Sequence, residues 1–223
     1  MTLEEALHLA GEHYRAERLV EAENVYRQIL ATYPDQHAIY NILGVISLRA
    51  DRIAEAGLLF EKAISADPES VSALSNLGKI LTDTGRLEEA IGHCRKAIEI
   101  DPSFLAAQYN LANALQESGQ LEKAVEHYHK ALEINPAFAD AHLNLGVTLQ
   151  KLGQLEEAIK CLKDADPGTG EPKTSAILLE CYYRNQDHHG FEHQLTLISK
   201  NQRFNFRAAS ASAFASHQWG TSN

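Results

Sequence analysis

Proline returns every 34 residues along this chain, at Pro34, Pro68, Pro102 and Pro136. A fixed step of that size means that one small structural unit is built, closed and built again, which excludes most folds organised around a single core. Other columns keep the same step. Leu9, Leu43, Leu77, Leu111 and Leu145 form one; Leu19, Ile53, Leu87, Leu121 and Leu155 form another. Two columns hold only small residues: Ala10, Gly44, Gly78, Ala112 and Gly146, and then Ala22, Ala56, Ala90, Ala124 and Ala158.

Each unit reads as two helices joined by a short turn. In SALSNLGKILTD, Leu74, Leu77, Ile80 and Leu81 stand at helical spacing. Gly85 then closes that helix in a left-handed conformation, which is cheap only without a Cβ. Gly119 and Gly153 occupy the same slot, and Asp51 and Glu17 fill it in the earlier units. The second helix, LEEAIGHCRKAIEI, has Glu88 and Glu89 in its first turn and Arg95 and Lys96 further along, as the helix dipole favours. Asp101-Pro102 stops it, because the residue before proline avoids the α region. The small columns let the two backbones of a hairpin approach closely. One hairpin cannot bury both of its apolar faces, so the units must stack.

The segments YNILGVISLRADRIAEAGLLFEKAISADP, LSNLGKILTDTGRLEEAIGHCRKAIEIDP and QYNLANALQESGQLEKAVEHYHKALEINP resemble the tetratricopeptide repeat family. The resemblance covers residues 3 to about 166. It implies an all-α fold, a right-handed superhelical solenoid of antiparallel helix pairs. Five units follow within residues 1–170: 3–36, 37–70, 71–104, 105–138 and 139–170. The last is atypical, since Asp166-Pro167 arrives three residues early. Residues 171–202 read as a degenerate sixth pair, with Leu179 in the leucine column but Glu180 and Glu192 in the two small ones. Residues 203–223 fit no repeat. They read as a cap helix, with Phe206 and Phe214 laid on the last hairpin, or as the start of a truncated downstream domain.

The chain is acidic, with a net charge of -10, and the imbalance lies in its body: residues 1–170 hold 15 Lys+Arg against 26 Asp+Glu. An acidic body repels phosphate backbones and argues against nucleic acid as a partner. No apolar run approaches the roughly 18 residues needed to cross a bilayer. The first twenty residues lack a basic region followed by an apolar block, so no secretory signal is expected, and the chain reads as cytoplasmic. Cys94, Cys161 and Cys181 form no CxxC pair. Cys94 shares a column with Tyr26, Phe60, Tyr128 and Leu162, and so reads as a small core residue. His188, His189 and His193 cluster, but without an HExxH or a nearby carboxylate pattern they read as surface histidines and no metal site is expected. No nucleophile or phosphate-binding motif occurs, so neither catalysis nor a cofactor is expected.

The tetratricopeptide resemblance implies that first helices line a concave surface. It places Asn76, Asn110 and Asn144 in one inner row, similar to the asparagine ladder of O-GlcNAc-transferase-like arrays. A carboxamide both donates and accepts, so it can grip a peptide backbone without reading sequence. Lys79 and Asn113 lie three residues further on the same helical face, and Ser75, Tyr109, Asp83, Glu117 and Lys151 are expected to flank them. Arg15 and Arg49 stand in the same inner column near the N-terminus. The mixed signs suit a polar ligand of mixed charge. The columns at which chaperone-clamping arrays carry lysine and arginine hold Asn41, Ser75 and Tyr109 here, so that specialisation is not expected. The resulting expectation is a scaffold that holds an extended protein segment. One alternative is the targeting region of a larger glycosyltransferase, sulfotransferase or iron-dependent oxygenase. Another is a scaffold that self-associates through its terminal repeats.

Overall fold

The structure, a computed structural model, describes residues 2–34, 36–166 and 171–200. The segment 203–223, read above as a cap or the start of another domain, lies outside the described residues. Twelve helices and no strand occur among those described. They are α1 (Leu3–Arg15), α2 (Leu19–Thr32), α3 (His37–Arg49), α4 (Ile53–Ala66), α5 (Val71–Asp83) and α6 (Leu87–Ile100). The others are α7 (Leu105–Glu117), α8 (Leu121–Ile134), α9 (Ala139–Leu152), α10 (Leu155–Ala165), α11 (Pro172–Arg184) and α12 (His188–Lys200).

The chain divides into two compact units, Met1–Ala114 and Leu115–Asn223, with α7 crossing the boundary. In the first unit α1 packs on α2, α3 on α4 and α5 on α6, while α2 meets α3 and α4 meets α5. In the second, α8 packs on α9, α9 on α10, α10 on α11 and α11 on α12.

Local chemistry sets the helix ends. Thr2 opens α1 with a capping box: its hydroxyl accepts from the Glu5 amide at 3.2 Å, and the Glu5 carboxylate accepts from the Thr2 amide at 2.8 Å. The residue before Pro68, Pro102 and Pro136 works as an Asx turn. Asp67, Asp101 and Asn135 each accept, through Oδ1, the amide two residues on, at 3.1, 2.9 and 3.1 Å. The turn between first and second helix needs a left-handed residue every time. Gly85, Gly119 and Gly153 adopt φ 78°, and Glu17, Asp51 and Gln186 adopt 59°, 57° and 56°.

The small columns are the seam of each hairpin. Ala22, Ala56, Ala90, Ala124 and Ala158 are all fully buried. A Cβ built on Gly44 would stand 2.5 Å from the Phe60 ring, and one on Gly146 would stand 2.7 Å from Leu162 Cγ. One on Gly78 would collide with Cys94 Sγ. Phe60, Cys94 and Leu162 therefore fill the space that their glycine partners leave, and the whole column, Tyr26 and Tyr128 included, is buried.

The last pair corrects the sequence reading. Glu180 and Glu192 do not occupy the seam; both are exposed. The left-handed turn residue advances 33 positions from Gly153 to Gln186, so the register slips by one. Counted that way, Ala141, Leu145, Thr148 and Leu149 map onto Thr174, Leu178, Cys181 and Tyr182, every one of them buried. Bulky Leu179 and Phe191 then stand where the fifth pair has Gly146 and Ala158. The close backbone approach moves to Gly190, where a Cβ would strike the Tyr182 ring.

Neighbouring second helices of the first unit are also linked by charge. Glu23 on α2 accepts from Arg52 at 3.0 and 2.6 Å, and from Arg27 Nε at 2.9 Å. Arg27 also pairs with Glu55. The Arg52 hydrogen bonds, against the opposing effect of burial, hold the Glu23 carboxyl below its ordinary range. A carboxyl depressed in the folded state contributes stability above its unfolded pKa of about 4.3, and loses it as pH falls through the lower folded value. Both arginines are more than one-third exposed, so solvent screening limits the contribution to about 0.5–1 kcal/mol. Glu23→Gln is expected to lower stability by about that amount at pH 7. Urea melts at stepped pH should show the two proteins converging below about pH 4.

Candidate interaction surfaces

The residues singled out from sequence fall into both units. Asn76, Lys79, Asp83, Tyr109, Asn110 and Asn113 belong to the first, and Glu117, Asn144 and Lys151 to the second. Within the first unit, α3, α5 and α7 carry the columns in which these residues stand.

Asparagine side chains form rungs between these helices. Asn76 Nδ2 on α5 donates to Asn41 Oδ1 on α3 at 3.2 Å. Asn110 Nδ2 on α7 donates to the Ser75 carbonyl at 3.1 Å and to Ser75 Oγ at 3.0 Å. Both rungs span 35 residues, one more than the repeat, so each joins a helix to the position beside its own equivalent. The two rungs differ in exposure. Asn76 is half-buried, whereas Asn110 is 6% exposed and its amide group is committed to Ser75. Ser75, expected at the groove surface, is itself buried at 1% exposure. The packing of α7 over α5 covers it, and its hydroxyl satisfies Asn110 in place of a ligand.

The flanking residues are more open. Lys79 and Asp83 are exposed and pair with each other at 2.7 Å across one helical turn. Glu117 and Lys151 are exposed, while Tyr109, Asn113 and Asn144 are half-buried. Arg49 is drawn to Glu17, the left-handed turn residue of the preceding pair. The sequence reading missed a polar cluster in the second unit. Gln116 Oε1 accepts from Thr148 Oγ1 at 2.6 Å and from the Tyr128 hydroxyl at 3.0 Å, and Thr148 Oγ1 also lies 2.7 Å from the Asn144 carbonyl. Its only sequence signal was a polar column, Thr82, Gln116 and Gln150, on otherwise apolar helix flanks.

Nothing in the chemistry of the cysteines suggests a nucleophile. Burial pushes the Cys94 thiol up to about 12, and Cys161 and Cys181 up to about 11. The reactive species is the thiolate, so all three stay protonated near neutral pH. Among the described residues no group of three histidine, cysteine or acidic side chains is placed to hold a metal ion. No described helix is long and apolar enough to cross a membrane.

Comparison with known proteins places the helix pairs in a family. Profiles described as TPR repeat match residues 78–119 and 113–153, and profiles described as tetratricopeptide repeat match residues 7–70 and 47–94. A search of curated protein sequences finds no match. Solved structures share the fold at low identity. PilW, a type IV pilus biogenesis factor, is 19% identical with a TM-score of 0.81, over 93% of this chain and 97% of its own. PilF of Pseudomonas aeruginosa is 17% identical with a TM-score of 0.79, over 95% and 97%. YrrB, a TPR protein with an unusual peptide-binding site, is 22% identical with a TM-score of 0.60, over 84% and 89%. With its recurring hairpins, small-residue seams and left-handed turns, the chain belongs to the tetratricopeptide repeat family.

Proposed function

We propose that this chain is a non-catalytic interaction scaffold, and that the first-helix face of its first unit holds an extended segment of a partner protein. The observation that carries this is the Asn41–Asn76 rung. One hydrogen bond joins the two carboxamides. Asn41 keeps its NH2 and Asn76 keeps its carbonyl oxygen for a ligand, which is the donor and acceptor pair that an extended peptide backbone matches. Lys79 and Asp83 stand exposed beside the rung and suit a segment of mixed charge. The fold similarity to YrrB, whose description names a peptide-binding site, supports the same reading.

The test introduces a photo-crosslinking residue at Lys79 of the full chain, identifies the captured segment, and titrates that segment as a synthetic peptide. Asn41→Ala combined with Asn76→Ala is expected to weaken binding about tenfold, since each lost hydrogen bond contributes roughly 0.5–1.5 kcal/mol. Unchanged affinity in a variant with unchanged melting would remove the peptide-grip reading.

A further inference from the structure

Helix α4 departs from the other second helices along one face. Where the equivalent position holds Ile91, Val125 and Ile159 in later pairs, α4 has Gly57. Where Asn24, Glu126 and Lys160 recur, it has Leu58. Where Glu88, Glu122 and Glu156 recur, it has Ala54. Three polar or space-filling positions have become small or apolar together, in one pair only.

The result is a hole with a knob beside it. A groove of about 610 Å³ opens over Leu77, Ile80 and Leu81 of α5, walled by Ala54 and Gly57 and bounded by Arg86. A Cβ on Gly57 would meet nothing within 4 Å, so the missing side chain of the other pairs accounts for the opening. Leu58 stands at its edge, 61% exposed, and Ile53 beside it is 37% exposed. Val20, in the column of Ala54 one pair earlier, is 69% exposed. The rim carries both signs, Glu61 and Arg86.

We propose that this face is the contact between two copies of the chain, related by a two-fold axis. Leu58 of each copy sits in the groove beside Gly57 of the other. A two-fold contact joins a patch to itself, so the patch must contain both halves of every interaction. This one does: an apolar knob with an apolar hole, and an acid with a base. Arg86, which holds Glu89 of its own chain at 2.7 and 2.6 Å, then also faces Glu61 of the other copy. The contact is carried by α4, with Leu77, Ile80 and Leu81 of α5 as the floor of the groove, and it includes neither Asn41 nor Asn76, so it is independent of the peptide-binding reading. It also differs from self-association through terminal repeats, because the groove lies in the second and third pairs.

Sedimentation equilibrium of the full chain, over about 1 to 500 µM, tests the proposal. The expected result is a monomer–dimer equilibrium within that range. Gly57→Ile fills the hole and Leu58→Glu removes the knob, each borrowing a residue that this chain already uses at the same position in another pair. Each is expected to weaken dimerisation by at least about tenfold, because an apolar contact is lost or blocked. Thermal melting by circular dichroism verifies folding, and Ala54→Glu replaces either variant that fails to fold. A wild-type chain that stays monomeric throughout, or a dimer that survives these substitutions, overturns the proposal.

Discussion

Truncating Phe60 to alanine is expected to lower stability by about 3–5 kcal/mol. Phe60 is fully buried and is the residue that fills the space left by Gly44 across the hairpin. Its removal leaves a void that the helices cannot close, because Ala56 and Ala63 on the same helix already pack with no exposed surface. Guanidinium melts should show the loss, and amide hydrogen exchange should accelerate first in α3 and α4. A second substitution shows that the mechanism is steric. Gly44→Ala in the wild type drives a Cβ to 2.5 Å from the ring, an overpacking that costs about 1–3 kcal/mol. In the Phe60→Ala background the ring is gone and that cost should largely vanish. The two changes are therefore expected to be strongly non-additive, as contacting residues are.

Asn110→Ala is the second large effect, expected at about 1–3 kcal/mol. The figure comes from asymmetry and not from the strength of one bond. Asn110 Nδ2 serves both the Ser75 carbonyl and its hydroxyl, and Ser75 is 1% exposed. Deleting the amide strands a hydroxyl where water does not replace the partner. Asn76→Ala removes a rung that is half open to solvent, and is expected to cost less than about 1 kcal/mol. Thermal melts of the two single variants, compared directly, separate them. The comparison also bears on function: an asparagine that melts the fold when removed is positioned for the chain itself, and one that does not is free to serve a ligand.

Much of the architecture could be read from residues alone, and the reason is volume. A column of alanine and glycine facing a column of large side chains has one sensible packing, and Gly44 with Phe60 or Gly146 with Leu162 realise it. The turns were legible for a similar reason, since only a left-handed residue fits between Thr84 and Arg86. The sixth pair was not. Its alignment depends on a one-residue slip between Gly153 and Gln186, and no side chain announces a register change when bulky Leu179 and Phe191 replace the small seam. The inner face was only half legible. Helical periodicity gathers Asn76, Asn110 and Ser75 on one side of their helices, but which carboxamide turns to a neighbour depends on rotamers and on how closely α7 lies over α5. The Gln116 cluster shows the same limit, since two hydroxyls from different helices converge on one oxygen.

The left-handed turns carry a consequence for how the molecule comes apart. Glycine accepts that conformation freely between α5 and α6, α7 and α8, and α9 and α10, but Glu17, Asp51 and Gln186 hold it with a full side chain. An ordinary residue there is disfavoured by roughly 1–2 kcal/mol. Three joints are thus sprung and three relaxed, so opening a hairpin at its turn releases strain in the first two pairs and the last, and none in the three middle pairs.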